Sequence, residues 1–195
     1  AHERRPFTFF VGVPVMFERI LDGAQNRGTN LGTLRYGVCG AAPMPPEVGA
    51  RWEKATGGFF VEGYGMTETS PIVAGTPMGP SRRLGALGLP FPSTDVRLVD
   101  PEDPDPEREV PDGEPGELLV RGPQVFAGYW EDEAATQAAI LPGGWLRTGD
   151  IVRREDSFLW MADRKRELIL TGGFNVYPSQ VEAAIRSMRG VADVA

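Results

Sequence analysis

Tyr64-Gly65-Met66-Thr67-Glu68-Thr69 places an aromatic ring, a hydroxyl and a carboxylate close together in the chain. At the end of a strand, such a set can bind a nucleotide. The ring stacks on a base, the hydroxyl meets a phosphate, and the carboxylate shares Mg²⁺ with phosphate oxygens, since that ion is held by one or two carboxylates. A polar turn whose threonines satisfy backbone groups has the same composition, so both readings stand at this stage. Gly40-Ala41-Ala42-Pro43 is small enough for a planar ligand to approach the main chain; it also suits a tight strand-to-helix turn. In Trp145-Leu146-Arg147-Thr148-Gly149-Asp150 the aspartate can accept two hydrogen bonds from a ribose diol, or sit in an ordinary turn. Asp163-Arg164 offers a second contact to the same nucleotide, or a surface ion pair of little energy. Gly172-Gly173 lacks the lysine and hydroxyl of a phosphate loop and reads as a hairpin turn.

These residues need elements to hold them. Over about residues 6–80, strand and helix signals alternate. Phe7–Val13 is β-rich, Pro14 suits the first turn of a helix that Gly23 can end, and Leu34–Cys39 reads as a second strand. Pro46 opens a second helix stopped by Gly57-Gly58, and Phe59–Tyr64 reads as a third strand. This rhythm predicts a parallel sheet flanked by helices, with ligands beyond the carboxyl ends of its strands. From about 84 to 162 the strands alternate apolar and polar residues around turns, with an acidic, proline-rich loop from Asp100 to Gly116 and one short helix at about 132–140. That pattern predicts a small antiparallel, barrel-like sheet. Around Gly172-Gly173 a hairpin precedes a helix opened by Pro178. The expected organisation is therefore α/β followed by mostly β: residues 1–83 as the end of a large α/β nucleotide- and acyl-binding subdomain, 84–162 as a barrel-like subdomain, and 163–195 as a hinge and the start of an α+β C-terminal domain.

Composition narrows the function. The chain has 195 residues, 41% of them hydrophobic, and a net charge of −7. An acidic chain argues against binding nucleic acid or anionic membranes, which need a basic face. His2 is the lone histidine and Cys39 the lone cysteine. A histidine-based zinc site, a Ser-His-Asp triad and an internal disulfide are thereby excluded. Cys39 reads as a small buried apolar residue, and no apolar run has the length of a membrane span. A reducing, cytoplasmic setting fits these features.

Taken together and in order, Gly40–Pro43, Tyr64–Glu68, Gly144–Asp150 and Asp163–Glu182 resemble the motifs of the adenylate-forming enzymes: acyl-CoA synthetases, luciferases and peptide-synthetase adenylation domains. Gly113–Leu118 and Gly128-Tyr129-Trp130 fit between them, and Gly172-Gly173-Phe174-Asn175-Val176-Tyr177-Pro178 most resembles bacterial fatty-acyl-CoA ligases. The resemblance implies a reaction in which a carboxylate attacks the α-phosphate of ATP and CoA then displaces AMP. It implies ATP or AMP, Mg²⁺ and CoA as cofactors. It assigns Ala41, Ala42 and Tyr64 to the adenine pocket, with Gly40 and Gly65 also among the cofactor-binding residues, Thr67 to the α-phosphate and Glu68 to Mg²⁺, these last two being the catalytic pair. Asp150 and Arg164 would hold the ribose, Arg166 would be the hinge, and Gly172-Gly173 would approach the CoA arm. Glycines at 40, 63 and 65 leave room for a medium- or long-chain carboxylic acid.

The family's Gly- and Ser/Thr-rich phosphate loop and its C-terminal lysine have no counterpart here; Lys54 and Lys165 do not match the lysine's context. The resemblance therefore implies an internal fragment of an ATP-dependent acyl-CoA synthetase. Alone, such a fragment is expected to be inert in catalysis, an adenine-nucleotide-binding or self-associating module at most. A sheet missing its neighbours would expose an apolar surface and favour homo-oligomers.

Overall fold

The computed structural model describes residues 6–40, 44–164, 169–171, 174–176, 178–186, 188, 190, 191 and 194, with backbone alone for 163, 164, 169–171, 174–176, 179, 180 and 183. Contacts divide the chain into two compact units, the first built mainly from residues 1–94 and the second mainly from 95–121, 127–156 and 160–195.

The first unit is a mixed sheet with two helices. Strand β1 (Phe9–Gly12) leads into α1 (Pro14–Arg27), β2 (Tyr36–Cys39), α2 (Pro46–Thr56) and β3 (Phe59–Tyr64), followed by β4 (Ala74–Gly75) and β5 (Leu89–Pro90). The sheet order is β1-β2-β3-β4-β5; β1, β2 and β3 are parallel, whereas β4 and β5 join antiparallel. Both helices start with proline in the first turn, where its missing N–H costs nothing. Gly23 does not end α1. The helix runs on to Arg27 and stops at Gly28, whose left-handed backbone lets Thr29 N–H reach the Ala24 carbonyl at 2.9 Å.

The core lies between these helices and one sheet face. Phe17 of α1 meets Trp52 of α2 edge-on at 4.8 Å and Phe60 of β3 at 5.2 Å, and all three are fully buried. Burying each such side chain contributes about 1.5–3 kcal/mol. The alternate residues of the strands point the other way. There Phe9, Tyr36 and Phe59 form a file of rings, with 6.2 Å between successive centroids, and the Arg82 guanidinium lies over Phe59.

The second unit is antiparallel. Strands β6 (Asp95–Val99) and β7 (Gly116–Arg121) form a hairpin across the predicted acidic loop. Helix α3 (Glu133–Ala139) is capped by the Asp132 carboxylate, which accepts from Ala135 N–H at 2.9 Å. It is followed by β8 (Ile140–Leu141), β9 (Trp145–Glu155) and β10 (Phe158–Arg164). The path β10-β9-β7-β6, with β8 beside β9, does not close on itself among the described residues, so this is an open, curled sheet and not a full barrel. Asp156 and Ser157 both have positive φ, the turn that joins twisted strands tightly. Beyond it lie an antiparallel pair, β11 (Ile169–Thr171) and β12 (Phe174–Val176), and α4 (Pro178–Arg186). Among the described residues no helix is long and apolar enough to cross a membrane.

Candidate active site

The tip of β3 is a tightly folded corner. Tyr64, half-buried, is its last residue. The chain doubles back at once: Val73 N–H donates to the Tyr64 carbonyl at 2.9 Å, and β4 pairs with Gly63 and Tyr64. Gly65 sits inside this reversal. A Cβ there would lie 1.6 Å from the Pro71 carbonyl oxygen, so only glycine fits. Thr67–Thr69 form one turn of 3₁₀ helix. The fully buried Thr69 closes it, its hydroxyl donating to the Met66 carbonyl at 2.9 Å and accepting from Met66 N–H at 3.1 Å. The two threonines thus divide the alternatives that the sequence leaves open. Thr69 satisfies backbone groups, whereas Thr67 is exposed and its hydroxyl has no partner among the described residues. Glu68 is half-buried, and its carbonyl accepts from Phe126 N–H at 2.8 Å, which fixes its backbone.

The tip of β2 is next to it. Cys39 is in register with Glu62, so Gly40 follows beside Gly63, and a Cβ on Gly40 would meet the Gly63 carbonyl at 3.4 Å. The expected adjacency of the two loops holds at this point; Ala41 and Ala42 lie outside the described residues. Cys39 is buried, and burial with the nearby Glu62 carboxylate pushes its thiol up to about 11. At neutral pH it is a protonated, apolar side chain, as the sequence predicts.

Asp150 stands on a bulge. Glu117 pairs with Ile151 and Leu119 with Arg147, so Leu118 alone faces Thr148, Gly149 and Asp150. Gly149 takes φ +72°, open to glycine without strain. The Thr148 hydroxyl donates to the Leu118 carbonyl at 2.8 Å and accepts from Asp150 N–H at 3.1 Å. Arg147, at the foot of the bulge, donates to both oxygens of Glu117, whose side chain is 1% exposed, at 3.0 and 2.5 Å. Bulges of this kind re-aim a side chain next to a site, which gives Thr-Gly-Asp a structural meaning. Arg164 ends β10; its side chain, together with Arg166, Gly172 and Gly173, lies outside the described residues.

The structure thus gathers Gly40, Tyr64, Gly65, Thr67 and Glu68 at the carboxyl ends of adjacent strands of the first unit. Asp150 and Arg164 belong to the second unit. Sequence reasoning passes over four residues that support these positions: Thr148, the paired Glu117 and Arg147, and Glu62. A charged residue inside an otherwise apolar strand is the signal that marks Glu62 and Glu117.

A profile of the AMP-binding enzyme family matches residues 1–130. The chain belongs to that family. Among AMP-binding enzymes it is 43% identical over 191 residues to the long-chain-fatty-acid–CoA ligase of Escherichia coli, covering 97% of this chain and 33% of the ligase. It is 46% identical over 183 residues to the ligase of the same name from Yersinia pestis, covering 93% of this chain and 32% of that protein. The chain therefore spans about a third of the length of the curated relatives it matches. ATP-bound MatB from Rhodopseudomonas palustris shares the fold with a TM-score of 0.83 and 34% identity, over 96% of this chain and 37% of that one.

Proposed function

We propose that the protein to which this chain belongs is an ATP-dependent acyl-CoA synthetase acting on medium- or long-chain fatty acids. The observation that carries this reading is the 43% identity to a long-chain-fatty-acid–CoA ligase along 97% of the chain. The reaction activates a poor acyl donor. A carboxylate oxygen attacks the α-phosphorus of ATP and pyrophosphate leaves with its bonding electrons. The CoA thiol, losing its proton, then attacks the acyl carbon and AMP leaves.

On this reading Tyr64 stacks against the adenine, bordered by Gly40, Ala41, Ala42 and Gly65. The Thr67 hydroxyl, exposed at the turn, donates to an α-phosphate oxygen, where negative charge builds up during attack. Asp150 and Arg164 hold the ribose, Arg166 is the hinge, and Gly172-Gly173 approaches the CoA arm. Among the described residues no three His, Cys, Asp or Glu side chains gather as a metal cage. A single carboxylate beside a phosphate suits Mg²⁺, which keeps waters and phosphate oxygens as its other ligands; Glu68 is the residue that would hold it. The ion would neutralise phosphate charge. The three-part organisation at 1–83, 84–162 and 163–195 and a cytoplasmic setting belong to the same reading.

The test is fatty-acid-dependent release of AMP by the full-length protein, with acyl-CoA detected by mass across chain lengths of about 8–18 carbons, since a pocket tolerates neighbouring lengths. Acyl-CoA formation supports the proposal; ATP turnover that ignores every fatty acid overturns it. The 195-residue chain alone is expected to show no ATP–pyrophosphate exchange above background.

A further inference from the structure

The corner from Gly65 to Val73 is held by two segments that the roles above leave out. One is the turn Phe91–Thr94. Thr94 N–H closes it on the Phe91 carbonyl at 3.1 Å, and Phe91 N–H fixes it to the corner by donating to the Val73 carbonyl at 3.0 Å. The other is residues 122–126, which follow β7 in sequence but belong to the first compact unit. They open with a tight turn of their own: Pro123 suits its second position, and Val125 N–H donates to the Gly122 carbonyl at 3.2 Å. Phe126 N–H then donates to the Glu68 carbonyl at 2.8 Å.

Gln124 joins the two segments. It is half-buried, and its Nε2 donates to the Thr94 hydroxyl at 2.7 Å and, at a longer 3.4 Å, to the Ile72 carbonyl. A side-chain amide carries a donor for each. The side chain folds back over Gly122, where a Cβ would collide with Gln124 Oε1 and stand 3.0 Å from the Ser93 carbonyl. Glycine at 122 leaves the room. The bonds therefore run without a break. Thr94 and Ile72 hold Gln124, Gln124 holds its turn, and Phe126 at the end of that turn holds Glu68. Glu68 lies on the outgoing arm of the corner and Ile72 on the returning arm, so the segment spans both. A leucine at 124 would fill the same space but supply neither bond.

We propose, on the reading of the nucleotide site given above, that Gln124 is a positioning residue. Its amide locks residues 122–126 to Thr94 and so keeps Phe126 N–H on the Glu68 carbonyl, holding the turn from which Glu68 reaches Mg²⁺ and Thr67 the α-phosphate. Gln124 touches no reacting atom; it acts through Phe126 and the turn.

The test uses the full-length protein as wild type and as Gln124→Leu, Thr94→Val and Thr94→Ser. Amide hydrogen exchange without nucleotide or metal reads the tie itself. Phe126 N–H exchanges roughly three- to tenfold faster in Gln124→Leu and in Thr94→Val, the scale of one neutral hydrogen bond, and keeps the wild-type rate in Thr94→Ser. Combining Gln124→Leu with Thr94→Val adds little to either alone, as two ends of one bond require. Steady-state kinetics read the consequence. The Mg²⁺ concentration for half-maximal activity rises by a similar factor in Gln124→Leu, while KM for the fatty acid is unchanged. Unchanged exchange at Phe126 in both Gln124→Leu and Thr94→Val overturns the proposal. Faster exchange with a lower kcat and an unchanged Mg²⁺ requirement also overturns it, since that is the signature of a purely structural residue. Absence of any ATP turnover in the wild type defeats the reading of the site and the positioning role with it, whereas the exchange rates still report whether the tie exists.

Discussion

Thr148 braces Asp150 across the bulge of β9: one hydroxyl accepts from the Asp150 N–H at 3.1 Å and donates to the Leu118 carbonyl of β7 at 2.8 Å. The side chain replaces the ladder bonds that the extra residues would forfeit. Thr148→Val keeps the shape and deletes the hydroxyl, leaving two polar groups to find other partners. A loss of about 1–3 kcal/mol is expected in urea denaturation. Thr148→Ser keeps the hydroxyl and should stay within about 1 kcal/mol of wild type. Equal losses for Ser and Val would show that the methyl, and not the brace, matters.

Gly63 and Gly65 flank Tyr64 and should respond oppositely to alanine. A Cβ at Gly65 collides with backbone, the Pro71 carbonyl at 1.6 Å, whereas a Cβ at Gly63 meets nothing within 4 Å. Gly65→Ala should cost roughly 4 kcal/mol or prevent folding, and Gly63→Ala should change stability by less than about 1 kcal/mol. Thermal melts of the two variants side by side decide this; a mild Gly65→Ala would mean the corner opens easily.

Glu62 gives the stability a defined response to acid. Its carboxyl is raised above the ordinary value of 4.5 by burial, against the bonds from Gly85 and Met44. The folded state therefore holds a proton at pH values where the unfolded chain has released it. Through this group stability rises as pH falls from above the raised value toward 4.5, and the gain is lost again as pH rises. Glu62→Gln removes the response. The difference in unfolding free energy, wild type minus Glu62→Gln, should become more favourable to wild type between neutral pH and about pH 5. A difference that is flat with pH, or of opposite slope, contradicts the assignment.

Cys39 should resist alkylation. With its thiol pushed up to about 11 from 9.0, the thiolate fraction at pH 8 falls roughly a hundredfold, and burial blocks access as well. Iodoacetamide at pH 8 should label it only after urea unfolds the chain. Rapid labelling of the native protein would mean that β2 frays.

Much of this structure can be read from residue order because the signals are local. Proline in the first turn and glycine after the last place both α1 and α2, and the β-rich runs ending in Cys39 and Tyr64 are strands whose tips carry the motifs. Gly23 misleads because a half-buried glycine within a helix costs only about 1 kcal/mol, which the buried faces of Phe17 and Leu21 offset; the left-handed end falls at Gly28 instead. The motif around Asp150 is visible, but its bulge is not, because the register that places Leu118 against Thr148, Gly149 and Asp150 depends on a strand about thirty residues away, a non-local choice that spacing alone leaves open. Glu62 is hidden for the same reason: the partner of its carboxylate, Gly85, comes from a loop far from it in sequence.

The file of rings formed by Phe9, Tyr36 and Phe59 governs how the 195-residue chain behaves as a colloid. With Val11 alongside at 62% exposure, it makes one adhesive stripe on a particle of net charge −7. Repulsion between such particles reaches about 10 Å in 0.1 M salt and about 3 Å in 1 M. Contact between stripes has no such sensitivity, and salting-out ions strengthen it. Added salt is therefore expected to gather the particles and dilute buffer to disperse them, which light scattering across a salt series would check.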